Sequence, residues 1–204
     1  FGLNAPWFKL RTFATKICVI NEWVRDLCIN HYSRDHNDIV VTGNPGFDPI
    51  QRNAPLDPAH SKKILFASQA NPLRNPWNDI EGDPDLPAKV ANWLSEFVST
   101  HPDDYSLTVR YHPNEERYAV QESNRVCIDN TNDLHQSLLK HEIIVTFTST
   151  VAVEAWLMGR SVVTVDLTPF SDLCPYSSIG ISQGVTSKAE LFESLANPKT
   201  ESSS

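Results

Sequence analysis

Apolar residues along this chain come in short β-branched runs, separated by stretches where they recur every three or four positions. The runs TKICVI (15–20), IVVT (39–42), KILFAS (63–68), SLTVRY (106–111), RVCID (125–129), EIIVTF (142–147) and SVVTVD (161–166) predict strands. Trp23, Leu27 and Ile29 give helical spacing over 22–32, and Val90, Trp93, Leu94, Phe97 and Val98 give it over 86–100. Further helices are predicted over 115–122, over 133–140 with Asp133 as N-cap, from Thr148-Ser149-Thr150 to Met158 with Gly159 as the stop, and over 188–196. Residues 69–85 and 168–184 read as loops. Near-continuous apolar strands alternating with helices predict an α/β class: a Rossmann-like parallel sheet with helices on both faces. Such sheets take ligands at the carboxyl ends of their strands.

Two segments divide the chain. Gly43-Asn44-Pro45-Gly46 is a breaker cluster, and Gly43, Asn44 and Pro45 are the expected hinge. The Pro-rich stretch 52–60 (RNAPLDPAH) has no apolar periodicity. The expected organisation is therefore the end of one Rossmann-like domain plus hinge at 1–53, a second domain at 54–198, and a disordered tail at 199–204. Phe1 lies in what reads as a structured segment, so the chain is expected to be a piece of a longer protein.

Composition narrows the function classes. With 40% hydrophobic residues, a packed core is within reach. Seventeen basic residues against twenty-five acidic give a net charge of −8, so no nucleic-acid partner is expected, whereas a helix tip can still bind a small anion. The four cysteines, Cys18, Cys28, Cys127 and Cys174, match no zinc or redox spacing. All four are expected to be reduced, with Cys18 and Cys127 buried in their apolar runs. No run is long enough for a transmembrane segment and no signal peptide is present, so a cytoplasmic protein is expected, any peripheral contact with the inner membrane face coming from parts outside this chain. No metal site or cofactor is expected.

The segment 143–165 carries the strongest chemical signal. Thr148, Ser149 and Thr150 lie where a strand becomes a helix, so their hydroxyls and the first helix amides could hold phosphate oxygens. Glu154, about one turn on in an otherwise apolar helix, could accept hydrogen bonds from a ribose. The plain alternative is an ordinary N-cap with a dipole-complementing acid. Arg110-Tyr111-His112-Pro113 places His112 at a strand end, where an imidazole can donate to a phosphate or leaving group; a satisfied loop histidine is the alternative. Ser68 and Gln69 end another strand and could line the same site. Gly180-Ile181-Ser182-Gln183-Gly184 matches the G-x-S-x-G nucleophile pattern, but it follows a turn-rich stretch rather than a buried strand, so no hydrolase is expected.

The segments IVVTGNPGFD (39–48), RYHP (110–113) and TSTVAVEAWLMGRSVVTVD (148–166), in this order, resemble the carboxyl-terminal part of GT-B fold enzymes. The look is that of the non-hydrolysing UDP-N-acetylglucosamine 2-epimerases and of bacterial surface-polysaccharide transferases. The resemblance implies a donor-binding domain in which Ser149 and Thr150 hold the phosphates, Glu154 the ribose, and His112 lies near the diphosphate as the catalytic group. Ser68, Gln69, Arg110 and Thr148, read from the strand ends themselves, complete the candidate site. The donor would be a UDP-, CMP- or CDP-linked sugar, and the acceptor a sugar or a lipid-linked sugar. Ser68-Gln69-Ala70-Asn71-Pro72 replaces the epimerases' His-Arg-x-Glu-Asn element, and Ser149-Thr150 replaces their two glycines. Both departures favour a transferase over an epimerase. A catalytically inactive binding module is the remaining expectation.

Overall fold

The computed structural model describes residues 15–32, 34–60, 62–69, 81–101 and 105–199. The chain divides into two compact units, 1–49 and 50–204. In the first, β1 (Ile17–Val19) and β2 (Ile39–Val41) pair in parallel, joined by α1 (Glu22–Tyr32). Ile17, Val19, Cys28 and Ile39 form its small core. Near its end Gly43 takes a φ of 76°, a conformation that favours glycine. The Asn44 side chain then accepts from Gly46 N, starting a single 3₁₀ turn over Pro45–Phe47.

The second unit is built on six strands: β3 (Lys63–Ala67), β4 (Ser106–Arg110), β5 (Val126–Ile128), β6 (Ile143–Thr146), β7 (Ser161–Val165) and β8 (Gln183–Val185). They lie in the order β5-β4-β3-β6-β7-β8, every pairing parallel. This is the Rossmann-like parallel sheet that the alternating pattern predicts. One face carries α2 (Leu86–Thr100) and α5 (Lys188–Ala196). Ile64, Phe66, Leu107, Val109, Ile143, Val145, Val163 and Val165 face Val90, Leu94, Phe97, Leu191 and Leu195 in a single cluster, the alternate residues of each strand pointing to one side. α2 forms because Leu86, Val90, Leu94 and Phe97 recur on one stripe, and Pro87 fits its first turn. α3 (Leu134–Leu139) and α4 (Val151–Leu157) complete the layers. Thr108 and Arg110, the other side of β4, meet His141 and Ser137 around α3. α4 packs on β6 and β7 and buries Ala152 and Ala155 outside that cluster.

Most predicted elements stand where the pattern puts them, with differences that have physical causes. Residues 115–122 form no helix. Instead Tyr118 and Val120, two positions apart, both pack against the core, which is strand-like spacing in an extended segment. β8 was unpredicted: Gln183-Gly184-Val185 has one branched apolar residue, Val185, which is buried. Gly184 is required there, because a Cβ would collide with Asp166 Oδ2 and with Ser177. Cys18 and Cys127 are exposed rather than buried, since each takes the outward position of a three-residue strand. None of the four cysteines is in a disulfide. Asp133 caps α3 through Gln136 N, and Gly159 ends α4 with a φ of 74°. The loop at 70–80 and the tail from 200 lie outside the described residues.

Candidate functional site

The strand order reverses at β3. The chain steps from β3 out to β4 and β5, then returns to place β6 on the other side of β3. Crevices at such a switch point, at the carboxyl ends of the strands, are where open α/β sheets bind ligands. The floor is stitched by the buried Thr146 hydroxyl, which donates to Ala67 O at 2.9 Å across β6 and β3. On the other side Ser68 N donates to Arg110 O at 2.8 Å, extending the β3–β4 pairing. Ser68 and Gln69 thus lie between the end of β4 and the end of β6, about 10 Å apart at two strand spacings. Gln69 Oε1 is buried without a hydrogen-bond partner.

The corner after β4 is organised by a residue that the motifs do not flag. Glu115 accepts from the Ser68 hydroxyl at 2.7 Å through one carboxylate oxygen and from His112 N at 3.0 Å through the other. Tyr118 donates to Ser68 Oγ at 3.0 Å, and burial pushes its phenol well up. Asn114 N donates to His112 Nδ1 at 3.2 Å. With Nδ1 accepting, the neutral imidazole carries its proton on Nε2, which is exposed and without a partner among the described residues. Arg110, by contrast, turns towards β5 and α3. Its Nη1 lies 2.6 Å from Asp129 Oδ2 and also meets Thr131 O, Thr131 Oγ1 and Ser137 Oγ. Burial opposes the charge on Asp129, but hydrogen bonds from Ser137, Thr131 and Arg110 outweigh it and hold the carboxyl at about 2. Arg110 therefore anchors the β4–β5 edge.

On the other flank, Thr148 and Ser149 are half-buried and Thr150 is exposed. The Ser149 hydroxyl accepts from Val151 N at 3.3 Å, the ordinary capping role, and Thr150 makes no side-chain cap. The amides of Ser149 and Thr150 find no acceptor among the described residues, which leaves two donors at the positive end of the helix dipole. Glu154, one turn on, pairs with His135 Nε2 at 3.0 Å. His135 comes from α3, and no local pattern could have joined two residues on separate helices.

Of the residues predicted for the site, Ser68, Gln69, His112, Thr148, Ser149 and Thr150 share the carboxyl edge of β3, β4 and β6, with Glu154 just behind them on α4. Arg110 ends the same strand but is engaged elsewhere. Gly43, Asn44 and Pro45 belong to the first unit. Ser182 of the G-x-S-x-G match leads into strand β8 rather than a helix, and its hydroxyl lies 2.8 Å from Thr164 Oγ1. Among the described residues no group of three or more His, Cys, Asp or Glu could hold a metal ion, and no helix is long and apolar enough to cross a membrane.

Solved structures share this arrangement of strands and helices. The UDP-GlcNAc 2-epimerase from Methanocaldococcus jannaschii, solved with UDP-GlcNAc and UDP, superposes with a TM-score of 0.62 at 14% identity, over 92% of this chain and 56% of that one. A putative UDP-N-acetylglucosamine 2-epimerase from Listeria monocytogenes gives 0.61 at 18% identity, over 90% and 51%. The wall teichoic acid polymerase TagF gives 0.51 at 16% identity, over 90% and 49%. The chain has a GT-B-like Rossmann fold. At these identities the likeness is one of fold, and the chain spans about half the length of the structures it matches. No protein-family model and no curated protein matches the sequence.

Proposed function

We propose that the second unit is the donor-binding part of a GT-B glycosyltransferase using a nucleotide-activated sugar, in surface polysaccharide or glycoconjugate synthesis. The observation that carries this reading is the pair of amides at Ser149 and Thr150, without acceptors among the described residues, at the end of β6, with His112 at the end of β4 on the far side of β3. In the proposed complex these amides and the helix dipole hold the phosphate oxygens. Glu154, oriented by His135, accepts from the ribose hydroxyls, and Gln69 offers its unpartnered oxygen nearby. As the bond from the sugar's anomeric carbon to the phosphate oxygen breaks, negative charge gathers on that oxygen. His112 is the proposed catalytic residue, donating from Nε2 to the departing phosphate, while the amides stabilise it without reorganising. Glu115 holds the His112 turn in place. In this reading Arg110 is a positioning residue, and the acceptor site and catalytic base belong to parts of such an enzyme beyond residues 50–204.

Calorimetric titration of this chain with UDP, CDP and CMP tests the proposal. Saturable binding of one of them, weakened by His112→Ala, is expected, with no release of nucleotide from the matching sugar donor by this chain alone. Absence of binding to all three would leave the chain as an inactive module of the same fold. The second reading, a UDP-N-acetylglucosamine 2-epimerase-like isomerase, draws on the larger fold overlap with the epimerases than with TagF. Incubating the longer enzyme with donor alone separates them: an epimerase converts the sugar without acceptor.

A further inference from the structure

At the other end of α4, below the amino ends of β7 and β8, lies a cavity of about 380 Å³ that the proposed nucleotide site does not use. Its lining is unusual in what it leaves unpaired. Arg160, which enters β7, is only 2% exposed, yet its Nε and Nη2 have no hydrogen-bond partner. Trp156 Nε1, from α4, and Gln183 Nε2, from β8, are likewise buried and unpartnered. All three residues line the same cavity, and Lys199 reaches it from beyond α5. Four buried donor atoms thus belong to residues around one cavity, and none has an acceptor among the described residues. Among the described residues lining the cavity none is acidic.

A buried donor left unmade costs stability, and a buried guanidinium costs more, so such groups are ordinarily paired. The carboxylate whose field reaches Arg160 is that of Glu142, but Glu142 accepts from Lys62 N at 2.6 Å and forms no ion pair with Arg160. Burial lowers the pKa of Arg160, and Glu142 offsets this in part. A guanidinium remains charged even so, and its planar fork matches the oxygens of a phosphate or carboxylate. Indole N–H and amide NH₂ groups are pure donors and suit the same acceptor.

The geometry points to an anion-binding site: this cavity takes an oxyanion, with Arg160 as counter-ion and the Trp156 indole and Gln183 amide as neutral donors. The volume lies within the range of small-molecule sites, about 300–1,000 Å³, so a phosphate carried on a small organic molecule fits as well as a free one. The site is independent of the nucleotide reading, since α4 separates the two.

The test is a titration followed at the Trp156 indole N–H in a ¹⁵N-correlated NMR spectrum, the peak being assigned by its loss in Trp156→Phe. Inorganic phosphate, and in a second arm glucose 6-phosphate, is added at constant ionic strength against chloride. A saturable shift with phosphate but not with chloride is expected, and tighter binding of the ester would identify an esterified phosphate as the ligand class. Arg160→Met should weaken the apparent affinity at least tenfold, while the UDP, CDP and CMP titrations stay unchanged. Should Arg160→Met fail to fold, Arg160→Lys keeps the charge without the fork and should weaken phosphate at least threefold. A wild-type indole that does not respond, or arginine variants that bind phosphate as the wild type does, would overturn the assignment.

Discussion

Arg110 and Arg160 are both drawn into the same sheet, one at the carboxyl end of β4 and the other at the entry to β7, and they meet opposite surroundings. Arg110 Nη1 is ringed by the Asp129 carboxylate, both oxygens of Thr131 and the Ser137 hydroxyl. Arg160 is more deeply buried and has no hydrogen-bond partner for its Nε or Nη2. The difference teaches which cation holds the fold and which is left for something else. A buried charge with its oxygens in place stiffens its neighbourhood; one without them is a cost that a ligand can relieve.

Removing each charge or its partner should therefore act with opposite sign. The largest effect is expected for Asp129→Ala, which strands Arg110 and should destabilise the second unit by about 3–5 kcal/mol in urea unfolding. Arg160→Met, measured without phosphate, should instead leave stability unchanged or raise it by about 1–4 kcal/mol, because a desolvated charge gives way to apolar packing. A large loss there would show that Arg160 is a structural anchor after all and erase the contrast.

Acid sharpens the same comparison. The Asp129 carboxyl is lowered from 3.8 to about 2 in the fold, so it binds its proton less readily folded than unfolded. Its contribution is complete above 3.8 and is lost as pH falls through about 2, which amounts to about 2 kcal/mol at 1.36 kcal/mol per unit. Asp129→Asn should flatten that limb of the stability profile. Asp166, whose carboxyl burial raises, has the reverse sign: stability falls as pH climbs from 3.8 through its folded value. Asp166→Asn should remove that penalty at neutral pH.

The smallest expected effect probes the open end of α4. Thr150 has a φ of −60° and its amide makes no hydrogen bond among the described residues, so Thr150→Pro fits the helix start. It deletes one donor without a protein acceptor among the described residues and should weaken nucleotide binding about tenfold, the equivalent of about 1.4 kcal/mol for a charge-assisted hydrogen bond, with little change in unfolding. Unchanged nucleotide affinity in this variant would move the phosphates away from the helix tip.

Much of the architecture was legible because it rests on period. Apolar β-branched runs separated by 3.6-spaced stretches specify a parallel sheet between helices, and the bounds of α1, α2 and α5 follow from stripes such as Leu86, Val90, Leu94 and Phe97. Where period and composition are thin, local pattern does not identify the element. β8 has a single branched residue to mark it, and the segment around Tyr118 carries a helix-like composition although its contacts alternate by two. The strand-end positions of Ser68, Gln69, His112 and Thr148 to Thr150 were legible too, since each ends a recognisable run.

What the sequence by itself determined, then, is most of the succession of strands and helices along the chain and the residue types that stand at the strand ends. The pairings were decided by the tertiary structure alone: Glu115 to Ser68 and His112, Glu154 to His135, Asp129 to Arg110, and, among the described residues, the lack of a partner for Arg160 Nε and Nη2. The reason is physical. Periodicity reports which face of an element is buried, a local property, whereas a hydrogen bond joins atoms that only the crossing of distant elements brings within 3 Å of each other.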